Sequence, residues 1–202
     1  MTIVYLIRHG EIAQTMPRRF VGQLDLPLTP RGRAQMVRLG KHLRPRQIDC
    51  VLTSPLIRSI ESAAIICQQL PIASPIIVEE LREISLGTWE GKTVAEIRQQ
   101  FPGEYEARGK NIATYRPPMG ESFAELQQRA WAGFTSILAN RKGQRLAIVA
   151  HSGVNRVLLC QLLGMPLTHI LRLSQNFGCC NEVEMNTAGC RVNTINLSFE
   201  EC

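Results

Sequence analysis

The chain lacks the marks of several protein classes. No stretch approaches the roughly 18 consecutive apolar residues that a membrane-spanning helix needs, so no membrane association is expected. No basic segment precedes the first apolar run, Ile3–Ile7, which is also too short for the core of a secretion signal. No two cysteines have Cys-x-x-Cys spacing, and no Cys/His cluster has zinc-finger spacing. The seven cysteines, an odd number, therefore point to reduced thiols and a cytoplasmic location. Of the adjacent pair Cys179 and Cys180, one buried and one exposed thiol are expected. Aromatic residues make up only 5 %, and the basic residues are dispersed. A nucleic-acid binder would need stacking platforms and Lys/Arg clusters, so the net charge of +6 points instead to small anions. No internal repeat, heptad run or low-complexity segment is present.

What is present is an alternation of short apolar runs and helix-like stretches. Residues 3–7, 50–53 and 146–150 have no polar alternation, as in parallel strands buried on both faces. Ile76-Ile77-Val78 reads as a further strand. Thr29-Pro30 is a helix start, with threonine as cap and proline in the first turn, and Met36, Leu39 and Leu43 follow at helical spacing. Ser54-Pro55 reads as a second start of the same kind. Ser122 and Glu125 have capping-box spacing before a long helix through Phe134 and Leu138. Near the end, two alternating runs around Asn186–Gly189 read as an antiparallel hairpin at a sheet edge. The expected fold is a three-layer α/β/α sandwich with a mostly parallel central sheet and an antiparallel edge. The chain has 202 residues, which fits a single domain, with a cap or lid expected at about residues 92–120, where Pro102-Gly103, Gly109 and Pro117-Pro118 interrupt the pattern. One short helix is expected there, around residues 93–101.

In such sheets ligands bind beyond the carboxyl ends of the strands. Those ends carry Arg8-His9, Ser54 to Arg58, and His151, with Glu83 beyond the strand at 76–78. A phosphomonoester carries about two negative charges, and binding it requires fixed cations and backbone N–H groups. Arg8 and Arg58 can each fork onto phosphate oxygens. His9 is suited to act as a nucleophile, because an unperturbed histidine is largely neutral at pH 7 and nearby arginines disfavour its protonation. Glu83 can give a proton to the leaving oxygen and then activate water. This chemistry requires no metal or other cofactor. Each residue alone has an ordinary structural explanation; their convergence on one rim supports the functional reading. Trp89, His42 and His169 read as packing residues.

At these residues the chain resembles the histidine phosphatase superfamily, the phosphoglycerate mutase-like fold. Arg8-His9-Gly10-Glu11 resembles its signature, Thr53–Ser59 its second motif, Leu81–Gly91 the acid-bearing third, and Ala150–Gly153 the fourth. The resemblance implies that His9 becomes a phosphohistidine. It also implies that Arg8, Arg58 and His151 hold the phosphoryl group and that Glu83 serves as acid and base. Gln14, Thr15, Gly22, Gln23 and Ser152 are expected substrate contacts alongside Arg8 and Arg58. The loop departs from the usual pattern, with Ile12 and Thr15 where threonine and asparagine are common. Ser152 stands where glycine often follows the last histidine. Leu86-Gly87-Thr88-Trp89-Glu90-Gly91 resembles the small phosphatase branch, which includes alpha-ribazole and sugar phosphatases. The expected activity is therefore hydrolysis of a small phosphorylated metabolite. A cofactor-dependent phosphoglycerate mutase, with Arg18, Arg19, Lys110 and Arg116 serving a second phosphate, and a non-catalytic phospho-ligand binder stay open as alternatives. The oligomeric state, monomer or homodimer, is also open.

Overall fold

The structure, a computed structural model, describes residues 1–13, 16–186 and 188–199. Four strands run parallel: β1 (Thr2–Arg8), β2 (Cys50–Thr53), β3 (Ile76–Ile77) and β4 (Arg145–Ala150). Two more, β5 (Cys180–Asn186) and β6 (Gly189–Leu197), continue the sheet antiparallel, in the order β3-β2-β4-β1-β5-β6. The expected mostly parallel sheet with an antiparallel edge is therefore present.

Strand pleating sorts the side chains between two cores. Val4, Leu6, Leu52, Leu146 and Ile148 face α5 (Phe123–Asn140) and α6 (Ser152–Leu163). Tyr5, Ile7, Val51, Ala147 and Val149 face α1 (Pro30–Leu43) and α2 (Ile57–Cys67). Successive side chains of a strand point to opposite faces, so an unbroken apolar run is what a sheet covered on both sides requires. Burial of each large aliphatic or aromatic side chain here contributes roughly 1.5–3 kcal/mol. Thr29 caps α1 by accepting from the Gly32 N–H at 3.0 Å. Ser122 and Glu125 form both arms of a capping box at α5.

Three expectations need correction. Helix α2 begins at Ile57 rather than at Ser54-Pro55, and the Ser54 side chain turns toward a histidine instead of acting as the helix cap. Strand β3 is a two-residue, exposed edge, because the chain turns into a 3-10 turn at Glu79–Leu81. Cys179 and Cys180 are both buried, since the strand that starts there packs against β1 and leaves neither side facing water.

The segment between Trp89 and α5 holds α3 (Val94–Gln100), as expected, with a Thr93–Glu96 capping box. It also holds a helix that the sequence pattern did not show, α4 (Glu104–Lys110). Trp89 is fully buried and packs against Phe20 and Tyr115, which ties this segment to the main body. Among the described residues no helix is long and apolar enough to cross a membrane.

Candidate active site

Parallel pairing brings three strand ends together. The His9 N–H donates to the Ala150 carbonyl at 3.0 Å, and the Ser54 N–H donates to the Val149 carbonyl at 3.1 Å. His9 and His151 thus sit side by side, with ring centroids 5.2 Å apart. Gly10 lies so close to Gly32 of α1 that a Cβ there would meet the Gly32 oxygen at 2.4 Å. Glycine is required at this point, and the contact fixes the loop that leaves His9.

His9 is buried, and its Nδ1 lies 2.7 Å from the Gly10 carbonyl. A carbonyl can only accept, so Nδ1 carries the hydrogen and Nε2 keeps its lone pair. Burial, reinforced by Arg8 and Arg58, pushes the ring's pKa well below the usual histidine value. His151 is fully buried and pushed the same way, again by burial first and then by Arg58 and His9. Its Nε2 lies 2.7 Å from the Ser54 hydroxyl, while its Nδ1 has no hydrogen-bond partner.

The arginines are held by main-chain carbonyls. Arg58 donates to the Leu24 and Gly22 carbonyls at 2.6 and 2.7 Å. It is buried in the first turn of α2, where the helix dipole also favours an anion. Arg8 donates to the Gln175 carbonyl at 2.6 Å, and its guanidinium lies 3.8 Å above the Phe177 ring. Burial pulls Arg8 down to about 10, with Glu83 acting in the opposite direction. The Nε atoms of both arginines are buried without partners.

Glu83 is buried, and its carboxylate accepts from the Ile84 N–H at 3.0 Å and from the Gly153 N–H at 3.1 Å. Its backbone is held from two sides. Gln23 Nε2 donates to the Glu83 carbonyl at 2.9 Å. Arg129, on α5, donates to the Glu80 and Arg82 carbonyls at 2.8 and 3.0 Å and to that of Glu83 at 3.5 Å. Arg129 is itself forked onto Glu121, whose carboxylate also accepts from the Ser85 N–H at 2.9 Å.

These groups surround a cavity of about 210 Å³. Arg8, His9, Gly22, Arg58, Glu83 and Ser152 line it. His151 lies beneath it, buried against His9. Gln23 is not in the lining; its amide is occupied by the Glu83 main chain. Gln14 and Thr15 fall outside the described residues. Of the cations considered for a second phosphate, Arg19 is paired with Glu96 at 2.9 Å and Arg116 with Glu125 at 3.2 Å. The additional cations that do face the cavity are Arg108 from α4 and Arg156 from α6. Sequence reasoning missed both, as well as Ser54, Arg129 and Glu121 as site-supporting residues. For Arg156 a signal existed: it lies one turn beyond Ser152 on the helix that opens at the rim.

An α/β sheet with histidine, arginine and carboxylate groups at its carboxyl rim defines a phosphoryl-binding protein of the phosphoglycerate mutase-like fold. The model of the histidine phosphatase superfamily (branch 1) matches residues 4–198, and the chain belongs to that family. It is 28 % identical to the adenosylcobalamin/alpha-ribazole phosphatase of Escherichia coli over 96 % of this chain and 95 % of that protein. It is 33 % identical to a Klebsiella pneumoniae protein named "Probable phosphoglycerate mutase GpmB", over 82 % of this chain and 77 % of that one. Among solved structures it is similar to Bacillus stearothermophilus YhfR, at 35 % identity and a TM-score of 0.86, covering 96 % of each chain.

Proposed function

We propose that the protein is a metal-independent phosphomonoesterase that hydrolyses a small phosphorylated metabolite through a phosphohistidine at His9. The observation that carries this reading is the His9 ring. Its Nδ1 is committed to the Gly10 carbonyl, so a neutral, nucleophilic Nε2 remains in a cavity lined by arginines. Nε2 attacks phosphorus; the N–P bond forms as the ester O–P bond breaks. Arg8 and Arg58 neutralise the charge on the transferring oxygens, the dominant requirement for phosphoryl transfer. His151 serves in the tautomer that carries its hydrogen on the unpartnered Nδ1, which donates to a phosphoryl oxygen, with Nε2 accepting from the Ser54 hydroxyl 2.7 Å away. Glu83 protonates the leaving alkoxide. As carboxylate it then takes a proton from water, whose oxygen attacks phosphorus and releases orthophosphate and His9.

Hydrolysis is favoured over mutase chemistry by the full-length similarity to a phosphatase and by the commitment of Arg19 and Arg116 to ion pairs elsewhere. The segment around residues 92–120 acts as a cap, delivering Arg108 to the cavity. A screen of phosphomonoesters run with chelator tests the activity. Alkaline quenching traps an acid-labile phosphate adduct in the parent protein and none in His9→Ala. Robust turnover by His9→Ala would overturn the reading. Glu83→Gln lowers kcat far more than it raises KM; a change in KM alone contradicts the acid–base role.

A further inference from the structure

The main-chain carbonyl of Gln175 is the one hydrogen-bond partner of the Arg8 guanidinium among the described residues, at 2.6 Å. It belongs to residues 174–179, a stretch without helix or strand between the 3-10 turn at Leu167–Arg172 and β5. Arg8 and Phe177 line the catalytic cavity and also a second cavity of about 400 Å³, which Gln175 and Asn176 face as well. With open space on that side, the placement of the carbonyl rests on hydrogen bonds.

Those bonds come from a buried cluster of three amides, on Gln175, Asn155 and Asn181. Gln175 and Asn181 pair amide to amide: Gln175 Nε2 donates to Asn181 Oδ1 at 2.7 Å, and Asn181 Nδ2 donates to Gln175 Oε1 at 3.0 Å. Main-chain groups fix which end of each amide is which. Asn181 Nδ2 also donates to the Leu6 carbonyl at 2.8 Å, and its Oδ1 accepts from the Asn196 N–H at 2.9 Å. Neither role can be exchanged. Gln175 Oε1 accepts in addition from Asn155 Nδ2 at 3.1 Å and from the Cys179 thiol at 3.5 Å, and Gln175 Nε2 donates to the Ser174 carbonyl at 2.9 Å. Every amide hydrogen of Gln175 and Asn181 is used, and a buried network satisfied in this way is rigid.

The network begins and ends on β1. Leu6, whose carbonyl anchors Asn181, precedes Arg8 on the same strand. The Arg8 N–H donates to the Cys179 carbonyl and the Gly178 N–H to the His9 carbonyl, both at 3.0 Å. Between these bonds Phe177 lies 3.8 Å from the Arg8 guanidinium and 5.5 Å from the His9 ring. We infer that Gln175 is a positioning residue: its buried side-chain amide sets the 174–179 loop, and through its carbonyl that loop aims the Arg8 guanidinium at the transferring phosphoryl group. A cation stabilises transition-state charge best when its donors are aimed in advance, and a misplacement of about 1 Å can cost roughly a hundredfold in rate. The inference rests on the phosphatase reading but can fail separately from it.

The test is a double-mutant cycle with p-nitrophenyl phosphate as substrate and orthovanadate as a bound phosphoryl mimic. Gln175→Met keeps the length of the side chain and removes its amide; Asn155→Ala removes one donor to it. Each is made in the parent and in Arg8→Ala. In the parent, Gln175→Met lowers kcat/KM roughly tenfold to a hundredfold and weakens orthovanadate binding in step. Asn155→Ala does the same by about threefold, the effect of one hydrogen bond. In Arg8→Ala both cost less than about twofold, because the group they position is gone, while thermal midpoints fall alike in the two backgrounds. Where Arg8→Ala turns over too slowly to read, orthovanadate affinity supplies the comparison. A general structural role predicts equal losses in both backgrounds. That result, or unchanged turnover and affinity in Gln175→Met, overturns the inference and leaves the phosphatase intact. If Gln175→Met does not fold, Asn155→Ala decides by the same comparison, with no loss or equal losses overturning the role. If the parent releases phosphate from neither this ester nor the screened ones, the hydrolytic reading falls and orthovanadate affinities alone decide the role of Gln175. A parent that also binds no orthovanadate overturns both.

Discussion

At the scale of single residues, His9 and His151 are buried bases that resist protonation. Both have folded-state pKa values below the ordinary 6.5. As pH falls below that value the unfolded chain takes up protons that the folded chain refuses, so stability drops with pH until the folded values are reached. Thermal unfolding followed from pH 7.5 to 5 is expected to show a falling midpoint, and a His9→Asn/His151→Asn protein a flatter profile. Equal slopes for the two would remove the histidines from the account. The same scale shows what sequence could and could not disclose. His9, Arg8 and Arg58 were legible because each directly follows an apolar strand or opens a helix. Ser54 was not: a serine before proline reads as a helix cap, and only the approach of β4 turns its hydroxyl toward His151.

At the scale of elements, the loop bearing Glu83 has little secondary structure of its own, yet it must present a carboxylate. Two short 3-10 turns flank it, and α5 braces it through Arg129, which bridges main-chain carbonyls to Glu121. Arg129 does not itself line the cavity and acts through the loop, reaching only main-chain carbonyls there, that of Glu83 included. Arg129→Gln is expected to lose about 2 kcal/mol of stability, the usual scale of hydrogen bonds to a charged group. On the proposed roles of Glu83 as proton donor and of Arg8 and Arg58 as phosphate ligands, it is also expected to lower kcat more than it raises KM. Chemical denaturation and steady-state kinetics read the two effects. Unchanged kcat in a destabilised protein would make the clamp purely structural. Helix α5 was legible from its apolar spacing and capping box; its bracing role was not, since it depends on a carbonyl pattern formed only when the loop folds over it. Helix α4 was hidden for a simpler reason. Its seven residues include none that are buried, so no apolar face marks it.

Across the whole molecule, layer order and parallel topology were readable because unbroken apolar strands force cover on both faces. The distribution of the net charge of +6 was not readable, because residues as distant as Arg8 and Arg156 share a cavity only after the sheet forms. Among the described residues, four guanidinium groups and one carboxylate line the cavity, and Arg58 and Arg156 each depress Arg8. An anion seated there relieves this repulsion, and a ligand that binds only the folded state stabilises it by mass action. Orthophosphate at about a hundred times its dissociation constant contributes about 2.7 kcal/mol. For a chain of this size that corresponds to a rise of roughly 5–10 °C in unfolding midpoint. Chloride at the same ionic strength screens exposed charges but cannot bridge guanidinium donors, so it raises the midpoint much less. A thermal scan in matched phosphate and chloride distinguishes the two. Equal midpoints would mean that the arginines are accommodated by general screening, and the cavity would lose its standing as a phosphoryl site.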